Sequence, residues 1–404
     1  MKISIEKVNE DLFVLRTDDS NTRYFEALWH IPEGITYNAY LLVSEGRAAL
    51  FDGWKYTYCA EFLDAVRKVI DPRKIEHIVI SHAEPDHTGT LSKILEANGG
   101  RAQLYGHHLS GVLLKAFYGI GPNFKKVSDG EEICVGKKRI RFIFTPYLHW
   151  PETIMSYIVD DGILLSGDAF GGYSMPPALF DEDEKVTARY LISARKYLAN
   201  VIGNYRGHIV KNIEKLQNLD LKIEALAPLH GLIWRKNPGT IIDSYLKWAK
   251  AEPEKNKIVI IYATMYRYME KVISLITEEL ERRGYRSVVF KFTDDSYDDI
   301  SEAIGEAIDA SAIIIGSGTY EADIFPYMRY VIELLGKKIN AAKPLLIVSS
   351  YGWLSSAGKK ASEMFSATNF NVVDSVDFQS SLTEDSIREI EKGLEKLLAA
   401  SKKT

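Results

Sequence analysis

The ten residues Ser-His-Ala-Glu-Pro-Asp-His-Thr-Gly-Thr, at positions 81–90, contain four side chains that can bind a metal ion. They directly follow an apolar run at 75–80, which predicts a buried strand that ends at the motif. In an extended segment, side chains two positions apart point to the same side, so the first three can converge on one point. The pattern predicts a metal site at a strand end, with four candidate ligands: His82, Glu84, Asp86 and His87.

The residues around these ligands favour a strand-to-helix turn. Pro85 disfavours the helical conformation for Glu84 and so keeps the start of the motif extended. Asp86 is predicted to be the N-cap of a helix that carries an apolar stripe and stops at Gly99. A loop of ordinary solvated polar residues is the alternative interpretation, and four potential ligands within six positions argue against it.

The types of ligand bear on the identity of the metal. Zinc hydrolases with a similar strand-end motif read His-x-His-x-Asp-His, with a nitrogen ligand at the second position. Glu84 occupies that position in this chain and offers a hard, anionic oxygen instead. Mixed imidazole and carboxylate ligands suit iron or manganese, so we expect redox chemistry rather than hydrolysis.

Length and composition exclude several classes of function. A chain of 404 residues has room for two domains, and 46% apolar with 26% charged residues is typical of a globular protein. The net charge of -5 argues against a nucleic-acid partner, which needs a basic surface. No apolar run approaches the roughly 18 residues of a membrane span, so no membrane partner is expected. The two cysteines, Cys59 and Cys134, form no paired motif, which favours a cytoplasmic location.

Three further apolar strands each lead into a turn that contains proline or glycine and one ligand-type residue. These residues are His149, Asp168 and His230. Together with the first motif they make seven ligands, enough for two metal ions that share a carboxylate. The remaining histidines lack such a context and are interpreted as structural: His30, His77, His107, His108 and His208.

The pattern of apolar and polar residues changes at a short charged linker that contains a proline, at 251–257. Before it, β-rich blocks with interspersed helices predict two sheets sandwiched between helices. After it, continuous apolar strands alternate with amphipathic helices in five repeats, which predicts a doubly wound parallel sheet. We therefore expect one domain at 1–250 and a second at 251–404. The predicted strands of the second domain are 258–261, 288–290, 312–315, 345–348 and 372–373.

Ligands of doubly wound sheets bind at the carboxyl ends of the strands, where three segments stand out. The first opens a helix whose backbone amides can hold a phosphate, and the third carries aromatic side chains that can flank a planar ring. An αβα domain with ordinary loops is the alternative. The candidate residues are Thr264, Met265, Tyr266, Arg267, Tyr268 and Met269 in the first segment, Ser317, Gly318, Thr319 and Tyr320 in the second, and Ser349, Ser350, Tyr351, Gly352 and Trp353 in the third.

Taken together, these motifs resemble those of the flavodiiron proteins (A-type flavoproteins, the rubredoxin:oxygen and nitric oxide oxidoreductase family). The resemblance extends over nearly all of the chain. It implies an N-terminal metallo-β-lactamase-like αββα sandwich of the α+β class, followed by a flavodoxin-like doubly wound parallel sheet of the α/β class. The segments that carry it, in the family's order and spacing, are His82-Ala-Glu-Pro-Asp-His87, Leu148-His149-Trp150, Gly167-Asp168 and His230-Gly231-Leu232-Ile233-Trp234.

The resemblance also implies cofactors and an activity. The cofactors would be FMN and two non-haem irons, with no catalytic residue beyond the metal ligands. Two ferrous ions and a reduced flavin hold the four electrons that turn O2 into water, and two NO molecules need two electrons to give N2O. The implied iron ligands are His82, Glu84 and His149 for one ion, Asp86, His87 and His230 for the second, and Asp168 as the bridge.

The same resemblance implies partners. Electrons would come from a separate donor, rubredoxin or a reduced deazaflavin. They would reach the irons in a head-to-tail homodimer, with a tetramer left open, in which each flavin faces the irons of the other subunit. Oxygen detoxification and nitric oxide reduction are both compatible with this arrangement.

Two departures from the family pattern and two rival functions accompany this interpretation. Arg267 and Met269 stand where flavodoxin-type phosphate loops usually have a small residue and a hydroxyl. Glu26 lies in a segment that contains a histidine near the metals in many members. The rivals are a metallo-β-lactamase-fold hydrolase with a fused flavodoxin-like domain and a non-catalytic flavodoxin-like electron carrier.

Overall fold

In the computed structural model, which describes residues 2–121 and 123–403, the chain divides into two units. The first comprises Met1–Leu198 and Tyr205–Leu246, and the second comprises Ala199–Asn204 and Lys247–Thr404. The boundary predicted after residue 250 lies slightly beyond the observed division after Leu246. The outer limits of the predicted domains, residues 1 and 404, lie outside the described residues. No helix among the described residues is long and apolar enough to cross a bilayer.

Two main sheets of the first unit pack face to face around a shared apolar core. Buried side chains of both sheets belong to that core, such as Leu42 and Phe51 from one and Phe142 and Ile158 from the other. The predicted sandwich is confirmed. The strands of this unit are β1 (Lys2–Lys7), β2 (Leu12–Asp19), β3 (Tyr24–Phe25), β4 (Trp29–His30), β5 (Ile35–Ser44), β6 (Arg47–Phe51), β7 (Ile75–Val79), β8 (Gln103–Gly106), β9 (Phe124–Lys126), β10 (Glu132–Val135), β11 (Lys138–Phe144), β12 (Ile154–Ile158), β13 (Ile163–Leu165) and β14 (Ala225–Ala227).

Both sheets mix antiparallel and parallel pairs. The larger sheet has the order β1-β2-β5-β6-β7-β8-β9, and the smaller has the order β10-β11-β12-β13-β14, while β3 and β4 form a separate pair. β6 to β9 run parallel to one another, as do β13 and β14. Parallel neighbours send their carboxyl ends to the same edge, so β7 can present its following motif beside the ends of its neighbours.

Helices connect these strands and bury one apolar face each. In α1, for example, Phe62 and Val66 lie four positions apart and are both buried. The helices up to residue 249 are α1 (Cys59–Val69), α2 (Pro85–Thr88), α3 (Leu91–Asn98), α4 (His108–Tyr118), α5 (Glu184–Tyr197), α6 (Arg206–Asn218) and α7 (Pro238–Ala249). Short 3-10 helices span Tyr56–Tyr58, Pro72–Lys74 and Gly203–Tyr205, and a π-helix spans Leu198–Ile202.

The turn that follows β7 differs in one respect from the prediction. Glu84 is extended, with φ -60° and ψ 138°, as the following proline requires. The predicted single helix is two helices: α2 begins at Pro85 with Glu84 as its N-cap, and α3, which carries the apolar stripe, has Thr90 as its N-cap. The prediction of Asp86 as N-cap is therefore wrong. The reason is that proline has its φ preset for the first helical turn and needs no N–H partner there. The predicted helix stop is confirmed at Gly99, whose φ is 70°.

The second unit is a doubly wound parallel sheet, as predicted. Its sheet has the order β16-β15-β17-β19-β20, in which all neighbours are parallel, and β18 pairs antiparallel with β17. Numbered from its own first strand, this order is 2-1-3-4-5, the flavodoxin-like one. The strands are β15 (Lys257–Ala263), β16 (Arg286–Phe292), β17 (Ala312–Tyr320), β18 (Asp323–Ile324), β19 (Pro344–Tyr351) and β20 (Asn371–Gln379). The helices are α8 (Tyr268–Arg282), α9 (Ile300–Ala307), α10 (Pro326–Lys338), α11 (Ala357–Ser366) and α12 (Glu384–Ser401).

Three details of this unit correct the sequence analysis. Residues 316–320, predicted as a loop, continue β17, because Thr319 and Tyr320 pair with β18. Residues 349–351 likewise continue β19, because they pair with β20. Lys257, placed in the charged linker, is the fully buried first residue of β15. Its ammonium group lies 2.5 Å from carboxylate oxygens of two acidic side chains, and that pairing offsets the cost of burial.

Candidate functional site

The seven predicted ligands lie together at one edge of the first unit. β7, β11, β13 and β14 each end three to five residues before a ligand, so these ligands are carried by strand ends. The structure brings all seven together, and their role as ligands stays a prediction. Their ligand atoms form three overlapping groups, each with all atoms within 4.8 Å of one another: His82, Glu84, His149 and Asp168; His82, Asp86 and His87; and His87, Asp168 and His230.

Asp168 lies at the centre of the cluster and presents its two oxygens to different histidines. Its Oδ2 atom lies 3.5 Å from Nε2 of His82 and 3.0 Å from Nε2 of His149. Its Oδ1 atom lies 3.0 Å from Nε2 of His87 and 3.6 Å from Nε2 of His230. The carboxylate therefore divides the four imidazoles into two pairs.

Each pair of imidazoles has a carboxylate of its own. Oε2 of Glu84 lies 3.0 Å from Nε2 of His149 and 3.4 Å from Nε2 of His82. On the other side, Oδ2 of Asp86 lies 3.4 Å from Nε2 of His87 and 3.7 Å from Nε2 of His230. The cluster thus consists of two sets of two imidazoles and one carboxylate, joined by a shared carboxylate.

Several polar atoms of the cluster are buried without a hydrogen bond of acceptable geometry. Burying such atoms unpaired is costly, and native structures rarely leave them so. Cations placed between them would satisfy the Nε2 and carboxylate oxygen atoms of this set, so the donor set fits two metal ions. Within the described part of the chain, the unpaired atoms of the cluster are Nδ1 and Nε2 of His82, Nδ1 of His87, Oε2 of Glu84, both carboxylate oxygens of Asp86 and Oδ1 of Asp168.

Burial and neighbouring charges pull the pKa values of the metal-free cluster in opposite directions. Burial raises the pKa of Asp86 to about 7. Burial lowers the pKa of His149, but hydrogen bonds with Asp168 and Glu84 outweigh it and raise that pKa to about 10. Burial lowers the pKa of His230 to about 4, so this imidazole is neutral at pH 7. Metal binding must displace the protons held by the raised groups, so it releases protons.

Contacts from distant segments orient two of the candidate ligands. Nδ1 of His230 lies 2.7 Å from the carbonyl oxygen of Thr36. A carbonyl can only accept, so Nδ1 carries the proton and Nε2 is left free for a metal. The hydroxyl of Tyr197 donates to Oδ2 of Asp168 at 3.0 Å. Neither Thr36 nor Tyr197 was identified from the sequence, because nothing near either residue in the chain marks it.

Two buried carboxyl groups support the motif itself and were also missed. Asp52 accepts hydrogen bonds from the backbone N–H and the hydroxyl of Ser81, at 2.8 and 2.6 Å. Glu152 accepts the backbone N–H of Ala83 at 3.1 Å. A signal for Asp52 was available, since it directly follows a strand and precedes Gly53.

The segment around Glu26 places an aromatic side chain at the site. Phe25 is buried, and its ring centroid lies 5.9 Å from that of His230. Glu26 is exposed and has a φ of 51°. Phe25 therefore packs directly against His230, one of the proposed ligands.

The five histidines interpreted as structural lie elsewhere. None of them belongs to a cluster of potential metal ligands in the part of the chain that the structure describes. His107, for example, is the N-cap of α4 and accepts the backbone N–H of Leu109. His208 packs against Tyr147 in a tilted arrangement, with ring centroids 4.4 Å apart.

In the second unit, the three predicted segments lie at the ends of the adjacent strands β15, β17 and β19. A Cβ atom built on Gly318 would lie 3.4 Å from Cε of Met265 and 3.6 Å from Oγ of Ser350, so the three segments meet. Two large aromatic side chains are strongly exposed there, Tyr266 at 79% and Trp353 at 81%. The arrangement offers exposed rings for a planar group.

The first of these segments leads into the long helix α8. Arg267 adopts a left-handed conformation with φ 63° immediately before the helix begins, and its Nε donates to Glu270 at 2.6 Å. The hydroxyl of Thr264 accepts the backbone N–H of Met269 at 3.3 Å. The Met269 side chain is buried in the core of this unit. Anion binding would therefore rely on backbone N–H groups of the loop and helix start, with the Arg267 charge partly compensated.

Comparison with known proteins assigns a family. Residues 35–231 match a family described as ODP family beta lactamase. The chain is 31% identical over 367 residues to a nitric oxide reductase from Moorella thermoacetica, covering 91% of this chain and 90% of that protein. It is 29% identical to a rubredoxin-oxygen oxidoreductase from Megalodesulfovibrio gigas, covering 91% and 90%. Among solved structures, a variant of the flavo di-iron protein from Thermotoga maritima is 40% identical, covers 99% of both chains and has a TM-score of 0.95. The chain belongs to the flavodiiron protein family.

Proposed function

We propose that this protein is an oxidoreductase that reduces O2 to water, NO to N2O, or both, at a pair of irons that receives electrons through FMN. The observation that carries the proposal is the position of Asp168, whose two oxygens face two separate sets of ligand atoms. The relatives named nitric oxide reductase and rubredoxin-oxygen oxidoreductase support the two reactions. Glu84 supports iron over zinc, because it adds a hard oxygen donor.

Each iron would have two imidazoles and one carboxylate of its own, and the irons would share a second carboxylate. This assignment follows the two sets of short distances in the cluster. The orientation of His230 is defined by Thr36, whose carbonyl oxygen holds its other nitrogen. The proposed ligands are His82, Glu84 and His149 for the first iron, Asp86, His87 and His230 for the second, and Asp168 for both.

The charges of the ligands suit a buried pair of ferrous ions. Glu84, Asp86 and Asp168 contribute three negative charges against the four positive charges of the ions. Because opposite charges nearly cancel, the cost of burying them is reduced. The imidazoles are neutral as ligands, so they leave this balance unchanged.

When bound, two ferrous ions and a reduced flavin would supply the four electrons that O2 requires, or the two that a pair of NO molecules requires. Aromatic side chains shield His230 from bulk water. The rings of Phe25 and Tyr37 pack on His230, with centroids 5.9 and 5.5 Å away, and both are buried. Burial and the nearby Asp168 raise the pKa of Tyr197 well above its usual value. The Tyr197 hydroxyl therefore keeps its proton and donates it in a hydrogen bond to Asp168.

FMN would bind at the ends of β15, β17 and β19. The N-terminus of α8 fits a phosphate, because its first backbone N–H groups are free of helical partners. Tyr266 and Trp353 fit a planar ring system, since both are large, aromatic and strongly exposed. The proposed contact residues are Thr264, Met265, Tyr266, Arg267, Tyr268, Met269, Ser317, Gly318, Thr319, Tyr320, Ser349, Ser350, Tyr351, Gly352 and Trp353.

We assign the iron domain to residues 1–250 and the flavin domain to residues 251–404. Support for a boundary near residue 250 comes from the secondary structure, because α7 ends at Ala249 and β15 begins at Lys257. A cytoplasmic location is part of the proposal, and the free thiols of Cys59 and Cys134 support it.

The proposed electron donor is rubredoxin or a reduced deazaflavin. The proposed assembly is a head-to-tail homodimer, with a tetramer as the alternative. The name of the relative from Megalodesulfovibrio gigas supports a rubredoxin-type donor. Sedimentation of the active protein would test the assembly, and full turnover by a strict monomer would contradict it.

The central test combines cofactor analysis with rapid kinetics. Two irons and one FMN per chain, with rapid oxidation of the reduced protein by O2 or NO in anaerobic stopped-flow, are expected. Zinc without flavin, together with ester or phosphodiester hydrolysis, would instead identify a hydrolase. Iron and FMN without reaction toward either gas would identify an electron carrier.

A further inference from the structure

We propose that Glu152 is a positioning residue that holds the peptide between His82 and Glu84 and thereby sets the geometry of one of the two metal positions. This inference rests on the ligand assignment of the proposed function. It concerns a side chain that is not itself a ligand and lies three positions after His149 in the chain.

Glu152 is a fully buried acidic residue that accepts a hydrogen bond from the metal-binding motif. Its side chain has no exposed surface, and its Oε1 atom accepts the backbone N–H of Ala83 at 3.1 Å. Its Oε2 atom has no hydrogen-bond partner among the described residues. Burying a carboxyl group is costly unless its contacts offset the loss of water. The hydrogen bond from Ala83 is the one that the described structure shows for this carboxyl group.

This contact extends the backbone pairing beyond the end of a strand. The backbone N–H of Ile154, the first residue of β12, donates to the carbonyl oxygen of Ser81 at 2.8 Å. Two residues further along the motif, at Ala83, the partner is the Glu152 side chain instead of a backbone carbonyl. The side chain therefore continues the attachment at the point where the strand itself stops.

A second side chain holds the carbonyl group of the same residue. The hydroxyl of Thr88 lies 3.1 Å from the carbonyl oxygen of Ala83 and 2.9 Å from that of Glu84. Thr88 and Glu152 thus hold the acceptor and donor groups of Ala83, which lies directly between two proposed ligands. Rotation of the backbone at Ala83 would move the Glu84 side chain away from His149.

The effect should be confined to one metal position. Glu152 links the segment of His82 and Glu84 to the segment of His149, and all three belong to the first iron. The second iron takes Asp86 and His87 from α2 and His230, which is held by a separate contact with a backbone carbonyl. Loss of Glu152 should therefore weaken the first position and leave the second in place.

The test uses the full-length protein and three substitutions of Glu152. E152Q keeps an oxygen acceptor at the same reach and is expected to bind two irons per chain. E152D is shorter by one carbon–carbon bond, about 1.5 Å, and places the acceptor beyond hydrogen-bond distance of Ala83. E152A removes the acceptor. For E152D and E152A we expect iron binding at one position to weaken by about 10- to 100-fold, the usual effect of removing a group that orients a ligand.

The readouts are iron and FMN content and the Mössbauer spectrum of 57Fe-loaded protein. One of the two ferrous signals should be lost selectively while FMN content stays at the wild-type level. The control is D181N, because Asp181 is also buried and accepts three backbone N–H groups without touching a proposed ligand. Two fully occupied, wild-type-like irons in E152A and E152D would overturn the inference, and so would equal loss of both irons.

Other outcomes are also decisive. If E152A does not fold, the comparison of E152D with E152Q decides the test. Wild-type iron content in E152D together with iron loss in E152Q would show that the charge of Glu152 matters and the length of its side chain does not. That result would refute the positioning role. A wild-type protein that binds no iron would refute the proposed function itself, independently of any variant.

Discussion

Replacing Asp168 by asparagine tests whether this carboxylate is shared by two metal ions. Asp168 is fully buried, and its oxygens lie between 3.0 and 3.6 Å from four imidazole nitrogens. An amide has one oxygen and one NH2 group, and the NH2 group cannot bind a metal. At least one ligand set therefore loses a donor in D168N, and both lose half of a shared negative charge.

The expected magnitude follows from the burial of this group. Removing one partner from a buried set of charges costs about 3–5 kcal/mol, and each 1.4 kcal/mol corresponds to about a factor of ten in affinity. Binding of the more weakly held iron should fall by about two to four orders of magnitude. Iron content after dialysis should drop from two per chain to one or fewer.

Two measurements complete this experiment. In metal-free protein, the pKa of His149, raised to about 10 largely by hydrogen bonds with Asp168 and Glu84, should fall in D168N when followed by NMR. D181N should keep both irons, since that carboxylate binds only backbone N–H groups. A D168N protein with two irons of unchanged affinity would show that Asp168 is not a shared ligand.

Three further results are expected. E84H replaces the oxygen donor by nitrogen and should shift competitive loading toward zinc; an unchanged zinc-to-iron ratio in metal analysis would count against the role of Glu84. In the metal-free protein the raised pKa of His149 means that the folded state binds more protons than the unfolded state between about pH 6.5 and pH 10. Its thermal stability should therefore fall as the pH rises through that window, and a rising melting temperature would contradict the argument. W353A and Y266A each remove an exposed ring and should weaken FMN binding by about 2- to 10-fold, measured by fluorescence titration, whereas Y56A, equally exposed in the other unit, should not.

The local features of the site were predictable from the chain alone. The extended conformation of Glu84 follows from Pro85, and the helix stop follows from Gly99, because each effect acts on the residue itself or its direct neighbour. The parallel sheet of the second unit was predictable for a similar reason, since its apolar strands recur regularly. The lengths of β17 and β19 were not, because their polar final residues are held by pairing with β18 and β20.

The residues that orient the ligands could not be found in this way. Thr36 holds His230 across 194 positions, and Glu152 holds Ala83 across 69 positions. No periodicity or short motif connects residues so far apart. Such contacts depend on how the two sheets of the first unit pack.

The amino-acid sequence alone determined which ligands are available and which two kinds of sheet they accompany, because metal preference and strand pattern depend on residue type and near neighbours. Only the tertiary structure decided that one oxygen of Asp168 faces His82 and His149 while the other faces His87 and His230. It also decided that Phe25 packs on His230. These outcomes depend on the positions of side chains from separate strand ends, which are set by packing of the whole unit.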